Sequence, residues 1–247
     1  MKNNFKTIDD AICAYLDKIN GRTTHNRGYN YWAASSLGKC KRNQVLCRAQ
    51  VTTSGKTNYA WKNAAADGHS SHKWRQQALD NVGILIGEEQ PIINEELCYR
   101  GHYDMIINLS GKLVLGEIKT QNNRAFKARS RLPERIDPNH KRQLGSYFYF
   151  LKHSAYPDLD SARLYYINKN TGEREEFEIY FDDAFFKSII DELKSLNNYW
   201  KLQILPKRDP TYFCKICQFS SLCHSLPNRK DTQIKYAVQK SLSNATE

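Results

Sequence analysis

The sequence predicts an α/β fold, of the α+β kind, on three observations. Apolar residues recur at the helical period near both ends, three strand-like segments lie between Glu88 and Thr120, and two more strands follow a central helix. The first helix is expected at Thr7 to Asn20, where Ile8, Ile12, Tyr15, Leu16 and Ile19 share a face and Thr7 serves as the N-cap. After a polar, glycine-containing loop, Ser35 or Ser36 caps a second helix that runs through Cys40 to about Arg48. A third covers about Asn58 to Val82, with Gly68 and His72 inside it. The three strands are QPIINEELCYR, GHYDMIINL and KLVLGEIKT, the last two joined at Ser110-Gly111 as a tight hairpin. A long basic connection then leads to a helix from about Pro138 to His153, a strand ARLYYIN, a turn at Asn170 to Glu173, a strand EFEIYF and an amphipathic helix from about Asp183 to Leu202. The polar end after about Asn228 reads as a weakly ordered tail or an exposed helix.

With 247 residues, of which 40% are hydrophobic, the chain can bury the core of one sizeable domain. MKNNFKTIDD lacks the apolar stretch of a secretion signal, and nothing approaches the roughly 20 apolar residues that span a bilayer. A cytoplasmic protein is expected. Lys and Arg outnumber Asp and Glu by 37 to 26, a net charge of +11, which favours a polyanionic partner over an acidic small molecule, the alternative being a merely soluble basic surface. The excess is clustered in residues 122–142, where Arg124, Lys127, Arg129, Arg131, Arg135, Lys141 and Arg142 face only Glu134 and Asp137. These are the candidate DNA-binding residues, and a run of this kind is otherwise a solvated face.

The segment LVLGEIKT carries the chemistry. An apolar strand that accepts Glu117 and Lys119 two residues apart puts both charges on one face. If Ser110 and Gly111 are the hairpin loop, Leu109 pairs with Lys112, and counting back sets Asp104 directly opposite Glu117. Two carboxylates buried together repel and are costly to desolvate, so both stay ionised only beside a cation. A hard divalent metal, Mg2+ or Mn2+, suits oxygen ligands of this kind. Lys119 is then free to orient or deprotonate water or to stabilise charge on a phosphate. An isolated E-x-K would be an exposed edge pair; here Ile106, Leu115 and Ile118 imply burial. From the residues alone, His69, His72 and His102 are all candidates for a further ligand.

Four short patterns in order, G-x3-H at Gly68 to His72, G-x2-D at Gly101 to Asp104, E-x-K-T at Glu117 to Thr120 and Q-x3-Y at Gln143 to Tyr147, resemble the motifs of RecB-like nucleases of the PD-(D/E)xK superfamily. The resemblance implies a restriction-endonuclease-like core with a mixed central sheet flanked by helices. It implies metal binding by His72, Asp104, Glu117 and the Ile118 backbone carbonyl. It makes Lys119 catalytic and sets Gln143 and Tyr147 beside it.

Seven cysteines without a secretion signal argue for metal ligation over disulfides. Cys214, Cys217 and Cys223 form C-x2-C-x5-C, and Cys40 is the chosen fourth ligand, with Cys47 as the second choice. Four thiolates hold zinc or an iron-sulfur cluster, which spacing does not distinguish. Cys13, Cys47 and Cys98 read as small core residues. An N-terminal cysteine in an S-x-L-x3-C setting with the C-terminal trio is similar to the iron-sulfur branch of RecB-like nucleases, which includes CRISPR-associated exonucleases, the AddB nuclease domain and phage homologues. That resemblance implies a [4Fe-4S] cluster in a helical lobe joining the N- and C-terminal parts. It extends over roughly Ser35 to Cys223, though Lys41 and Arg42 follow Cys40 where proline and arginine are common.

The expected organisation is a single nuclease domain over residues 1–247, with its core at about 58–205, the iron-sulfur lobe at about 30–55 and 206–227, and a polar tail at 228–247. The expected function is a metal-dependent DNA exonuclease acting on ends or single strands in recombination, repair or CRISPR spacer processing, alongside CRISPR integration or phage recombination proteins. Tyr103, Tyr147 and Phe148 are candidates for base stacking. The rival from another class is a non-catalytic DNA-binding or assembly subunit, against which the intact Asp104, Glu117 and Lys119 argue.

Overall fold

The computed structural model describes residues 12, 15, 30–51, 59–211, 214–215, 217–229 and 231–243. Apart from Ile12 and Tyr15, the helix expected at Thr7 to Asn20 lies outside the described residues, and so does Cys13. The strands are β1 (Trp32–Ala33), β2 (Leu85–Glu88), β3 (Pro91–Asn94), β4 (Tyr99–His102), β5 (Met105–Leu109), β6 (Lys112–Gln121), β7 (Leu159–Asn168) and β8 (Arg174–Ile179). The helices are α1 (Lys41–Arg48), α2 (Tyr59–Asn81), α3 (Asn123–Arg129), α4 (Pro138–Lys152), α5 (Asp183–Lys201), α6 (Ser220–Ser225) and α7 (Ile234–Ser243).

A five-stranded sheet in the order β2-β5-β6-β7-β8 forms the centre, and a three-stranded sheet, β1-β4-β3, lies apart from it. The larger sheet is mixed: β6 and β7 run parallel, and the other pairs are antiparallel. A parallel pair needs a crossover, and α3 and α4 supply it. Asn122 and Asp137 cap these helices, their side chains accepting from Ala125 N and Asn139 N, and Pro138 opens α4 at the position where a missing N–H costs nothing.

Alternation along the strands divides the core in two. Met105, Ile107, Val114, Ile118 and Ile167 pack with Leu79 of α2, while Leu115, Leu164 and Tyr166 join Leu144 of α4 and Ile189 and Leu193 of α5 in the larger cluster. The sheet is therefore sandwiched between helices, as expected from the sequence. The hairpin register also stands: Leu109 pairs with Lys112 and Met105 with Gly116, and Ser110 and Gly111 both adopt positive φ, 53° and 86°.

Two strand expectations need correction. QPIINEELCYR is not one strand but the hairpin β3–β4, because Asn94 accepts from Leu97 N at 2.8 Å and closes a turn. GHYDMIINL breaks between the two sheets, with His102 paired to Pro91 and Met105 to Glu88 and Gly116. Asp104 thus occupies the junction. The sequence reading also begins its strands too late, missing β2; of its two alternatives for the end after Asn228 the helix is found, as α7, but it packs Ile234 and Ala237 into the core and is not simply exposed.

Gly101 is required by close approach. A Cβ there would stand 2.3 Å from Cε1 of Tyr147 and 2.9 Å from the Ala34 side chain. Gly101→Ala should cost about 1–3 kcal/mol by overpacking, and denaturant unfolding of the variant beside the parent measures it; unchanged stability would show that the Tyr147 ring yields freely.

Candidate active site

Glu117 and Lys119, on the same face of β6, point toward α4. Glu117 is 1% exposed, and its Oε1 accepts from Lys119 Nζ at 2.6 Å and from Gln143 Nε2 at 2.9 Å. Lys119 Nζ also donates to Gln143 Oε1 at 3.1 Å. Gln143 lies one helical turn before Tyr147, and its Nε2 is 2.9 Å from the Tyr147 hydroxyl. Every member of this network is a sequence-predicted site residue. The other Glu117 oxygen, Oε2, is buried and has no hydrogen-bond partner.

Asp104 reaches the same place from the sheet junction. Its Oδ2 accepts from the Ile118 N–H at 2.7 Å, and its Oδ1 lies 3.4 Å from Nδ1 of His72 on α2. His72 is the histidine brought to the site, since His69 and His102 are exposed. Two residues that the sequence reading missed complete the surroundings. Gln76, buried and one turn after His72, donates to the Asp104 carbonyl at 2.7 Å and to Glu89 Oε1 at 3.1 Å. Helical spacing from His72 is a signal that could have found Gln76. Glu89, in the turn between β2 and β3, carries no such signal. His140, three residues before Gln143, is also nearby and was missed; its Nδ1 is 3.0 Å from the Tyr166 hydroxyl.

The electrostatics follow from burial. Desolvation, reinforced by the charge of Asp104, pushes the Glu117 carboxyl up to about 7, against the pull of Lys119. Burial works against the Lys119 ammonium, but the Glu117 and Asp104 carboxylates outweigh it and hold its pKa above the ordinary value. His72 is likewise held up by Asp104 and Glu117 in spite of burial. His140 is pushed down to about 4 by burial and by Lys119, so it is neutral at pH 7.

The basic run does not act as one surface. Arg129 is 3% exposed, and its guanidinium is engaged by Glu175, Gln121 and the Arg135 carbonyl. Arg142 is bound to Glu192 at 2.6 Å and to Ser188 at 2.9 Å. Both are expected from the sequence to meet DNA; Arg129 is instead buried, and the Arg142 charge is paired with a carboxylate of α5. Arg135 pairs with Glu175 and Lys141 with Glu134, while Arg124, Lys127 and Arg131 are exposed. Tyr103, Tyr147 and Phe148 are buried, at 9% exposure or less, and no base can stack on them.

Outside this network, α1 meets the C-terminal segment. Asn43 Nδ2 lies 3.4 Å from the Cys217 sulfur, and Gln218 Nε2 lies 3.5 Å from that of Cys47. Burial raises the Cys223 thiol pKa, against the pull of Arg42, and Cys40 and Cys217 add to the rise. Arg42, 1% exposed, donates to the carbonyls of Pro206 at 2.9 Å and Pro227 at 3.2 Å, while its Nε is buried without a partner. Cys40 and Cys223 thus lie near a buried cation. Among the described residues no three thiols lie within 4.8 Å of one another, whereas a tetrahedral zinc with bonds of about 2.3 Å sets its sulfurs about 3.8 Å apart.

The family profile described as the PD-(D/E)XK nuclease superfamily matches residues 38–224. The chain belongs to the PD-(D/E)XK nuclease superfamily. Asp104 and the run Glu117-Ile118-Lys119 match the D and (D/E)XK parts of the signature in that name, while Tyr103 stands in the place of its proline. No curated protein matches the chain at a significant level. Among solved structures, SSO0001 is similar with a TM-score of 0.55 at 22% identity, covering 87% of this chain and 97% of that one, a likeness of fold. An alkaline exonuclease from Laribacter hongkongensis gives a TM-score of 0.48 at 14% identity, covering 70% of this chain and 89% of that one. A phage related exonuclease from Haemophilus somnus 129PT gives 0.49 at 11% identity, over 69% and 93%. Among the described residues no helix is long and apolar enough to cross a membrane.

In this PD-(D/E)XK chain, a carboxyl whose folded pKa lies above its unfolded value stabilises the fold below the unfolded pKa and loses that contribution as pH rises through the folded one. Between pH 5 and pH 8 the metal-free protein should therefore lose up to about 3 kcal/mol through Glu117, a slope absent from Glu117→Gln. Urea unfolding in chelator at the two pH values tests this; equal slopes for the two proteins would exclude it.

Proposed function

We propose that the chain is a metal-dependent DNA exonuclease that hydrolyses phosphodiester bonds at ends or in single strands, in recombination, repair or CRISPR spacer processing. The observation that carries this reading is the convergence of Asp104, Glu117 and His72 beside a lysine that Glu117 and Gln143 hold in place. The unpartnered Glu117 Oε2 and the oxygen-rich donor set fit a hard divalent ion. Asp104, Glu117, His72 and the Ile118 carbonyl are the residues that would hold Mg2+ or Mn2+. When bound, the ion supplies Lewis acidity for activating water and for stabilising the departing oxygen.

The chain's own residues do the rest. Lys119, its ammonium directed by two acceptors, aligns water and stabilises charge on the phosphate. Gln143 holds both Glu117 and Lys119, and Tyr147 steadies Gln143 from behind. Arg124, Lys127 and Arg131, exposed on the segment that leaves β6 beside Lys119, guide the DNA backbone. An end-labelled assay on single- and double-stranded DNA with Mn2+ tests the reading. Glu117→Ala and Lys119→Ala should each lose at least about 100-fold in rate, within the range for a catalytic group; full activity in either variant, or none in the parent, would overturn it.

Cys40, Cys214, Cys217 and Cys223 are proposed to hold a [4Fe-4S] cluster that joins α1 to the C-terminal segment. Cys40 and Cys223 lie near the buried Arg42 guanidinium, a cation that would offset the negative charge of a thiolate centre. Anaerobically purified protein should be brown and contain about four irons per chain. Stoichiometric zinc in their place would sink this assignment.

A further inference from the structure

Glu89 belongs to none of the motifs in the sequence, yet it stands at the site. One ligand atom from each of His72, Glu89 and Asp104 lies within 4.8 Å of the other two, and among the described residues this is the one such trio. An octahedral ion with ligands about 2.0–2.1 Å from its centre sets neighbouring ligands about 2.9 Å and opposite ones about 4.2 Å apart, so the three side chains would close on it by small movements from their present spread. Glu89 is an exposed residue, but it is not left to chance: buried Gln76 uses one amide group to grip both Glu89 Oε1 and the Asp104 carbonyl, fixing a rim carboxylate to the strand that carries the central one. A separate observation also points to a cation. Glu117 Oε2 is buried and without a partner, on the strand whose next N–H, that of Ile118, bonds the Asp104 carboxylate. Glu89, Asp104 and Glu117 set three carboxyl groups against one lysine and one histidine, an oxygen-rich group that suits a hard cation.

We propose that Glu89 is a metal ligand, and that His72, Glu89 and Asp104 together hold a divalent cation. The inference rests on the metal-dependent reading above and extends it to a residue outside the family's motifs. Gln76 acts as a positioning residue, orienting Glu89 through its amide.

The test is calorimetric titration of Mn2+ into the metal-free full chain, for the parent, Glu89→Gln, Glu89→Asp, Glu117→Gln and, as a control, the exposed neighbour Glu88→Gln. Glutamine keeps an acceptor for Gln76, so Glu89→Gln should melt with the parent in chelator while binding Mn2+ at least tenfold more weakly. Glu89→Asp, which keeps the charge, should bind more tightly than Glu89→Gln, and Glu88→Gln should match the parent. If Glu89→Gln binds like the parent while Glu117→Gln is weakened, the ligand role of Glu89 is overturned and the nuclease site stands. Equal binding by Glu89→Gln and Glu89→Asp also overturns it, even where both variants are less stable. If the parent binds no Mn2+, the metal-dependent reading fails and this one with it.

Discussion

Burying the Glu117 carboxylate is the constraint on which the site depends. Removing an isolated carboxylate from water costs several kcal/mol, and that cost is offset only by an opposite charge with good geometry. Here a single oxygen receives both the Lys119 ammonium and the Gln143 amide, while the other receives nothing. A carboxylate held solely for stability would have both oxygens satisfied. Half-satisfaction, with Asp104 close enough to raise the pKa further, leaves one buried oxygen of this carboxylate without a partner.

The fold meets this constraint by bringing separate elements to one point. The β5–β6 hairpin sets the register, and the break between the two sheets places Asp104 where its carboxylate can bond the Ile118 N–H. From the far side of the larger sheet α2 contributes His72 and Gln76, and α4 contributes Gln143 and Tyr147. Gly101 lets the Tyr147 ring pass close against β4, so a motif glycine that looks remote from the chemistry is a packing requirement of the hydrogen-bond network.

A second joint ties the ends of the described chain together. Glu192 of α5 accepts from Gly38 N, Gln44 and Arg142, which fastens α1 and α4 to one helix. Arg48 lies between Trp32 and Trp200, 4.3 and 4.6 Å from their ring centroids. Arg42 reaches the carbonyls on both sides of the cysteine segment. Arg42, Arg48 and Arg142 are therefore rivets between elements, and with Arg129 paired to Glu175 the charge left for a polyanion is smaller than the composition implies.

Local physical chemistry determined much of the protein from sequence alone. Strand alternation and a two-residue loop decide which residues face each other across a hairpin, so Asp104, Glu117 and Lys119 could be brought together by counting, and helical spacing did the same for Gln143 and Tyr147. Contacts without a fixed sequence spacing were beyond such counting. That His72 and not His69 or His102 meets Asp104, that Glu89 stands beside them, and that Arg129 and Arg142 turn inward depend on how elements far apart in the chain pack. Register is a property of neighbours along the backbone. Convergence of α2, the sheet junction and α4 is a property of the packed core, and only the tertiary structure decides it.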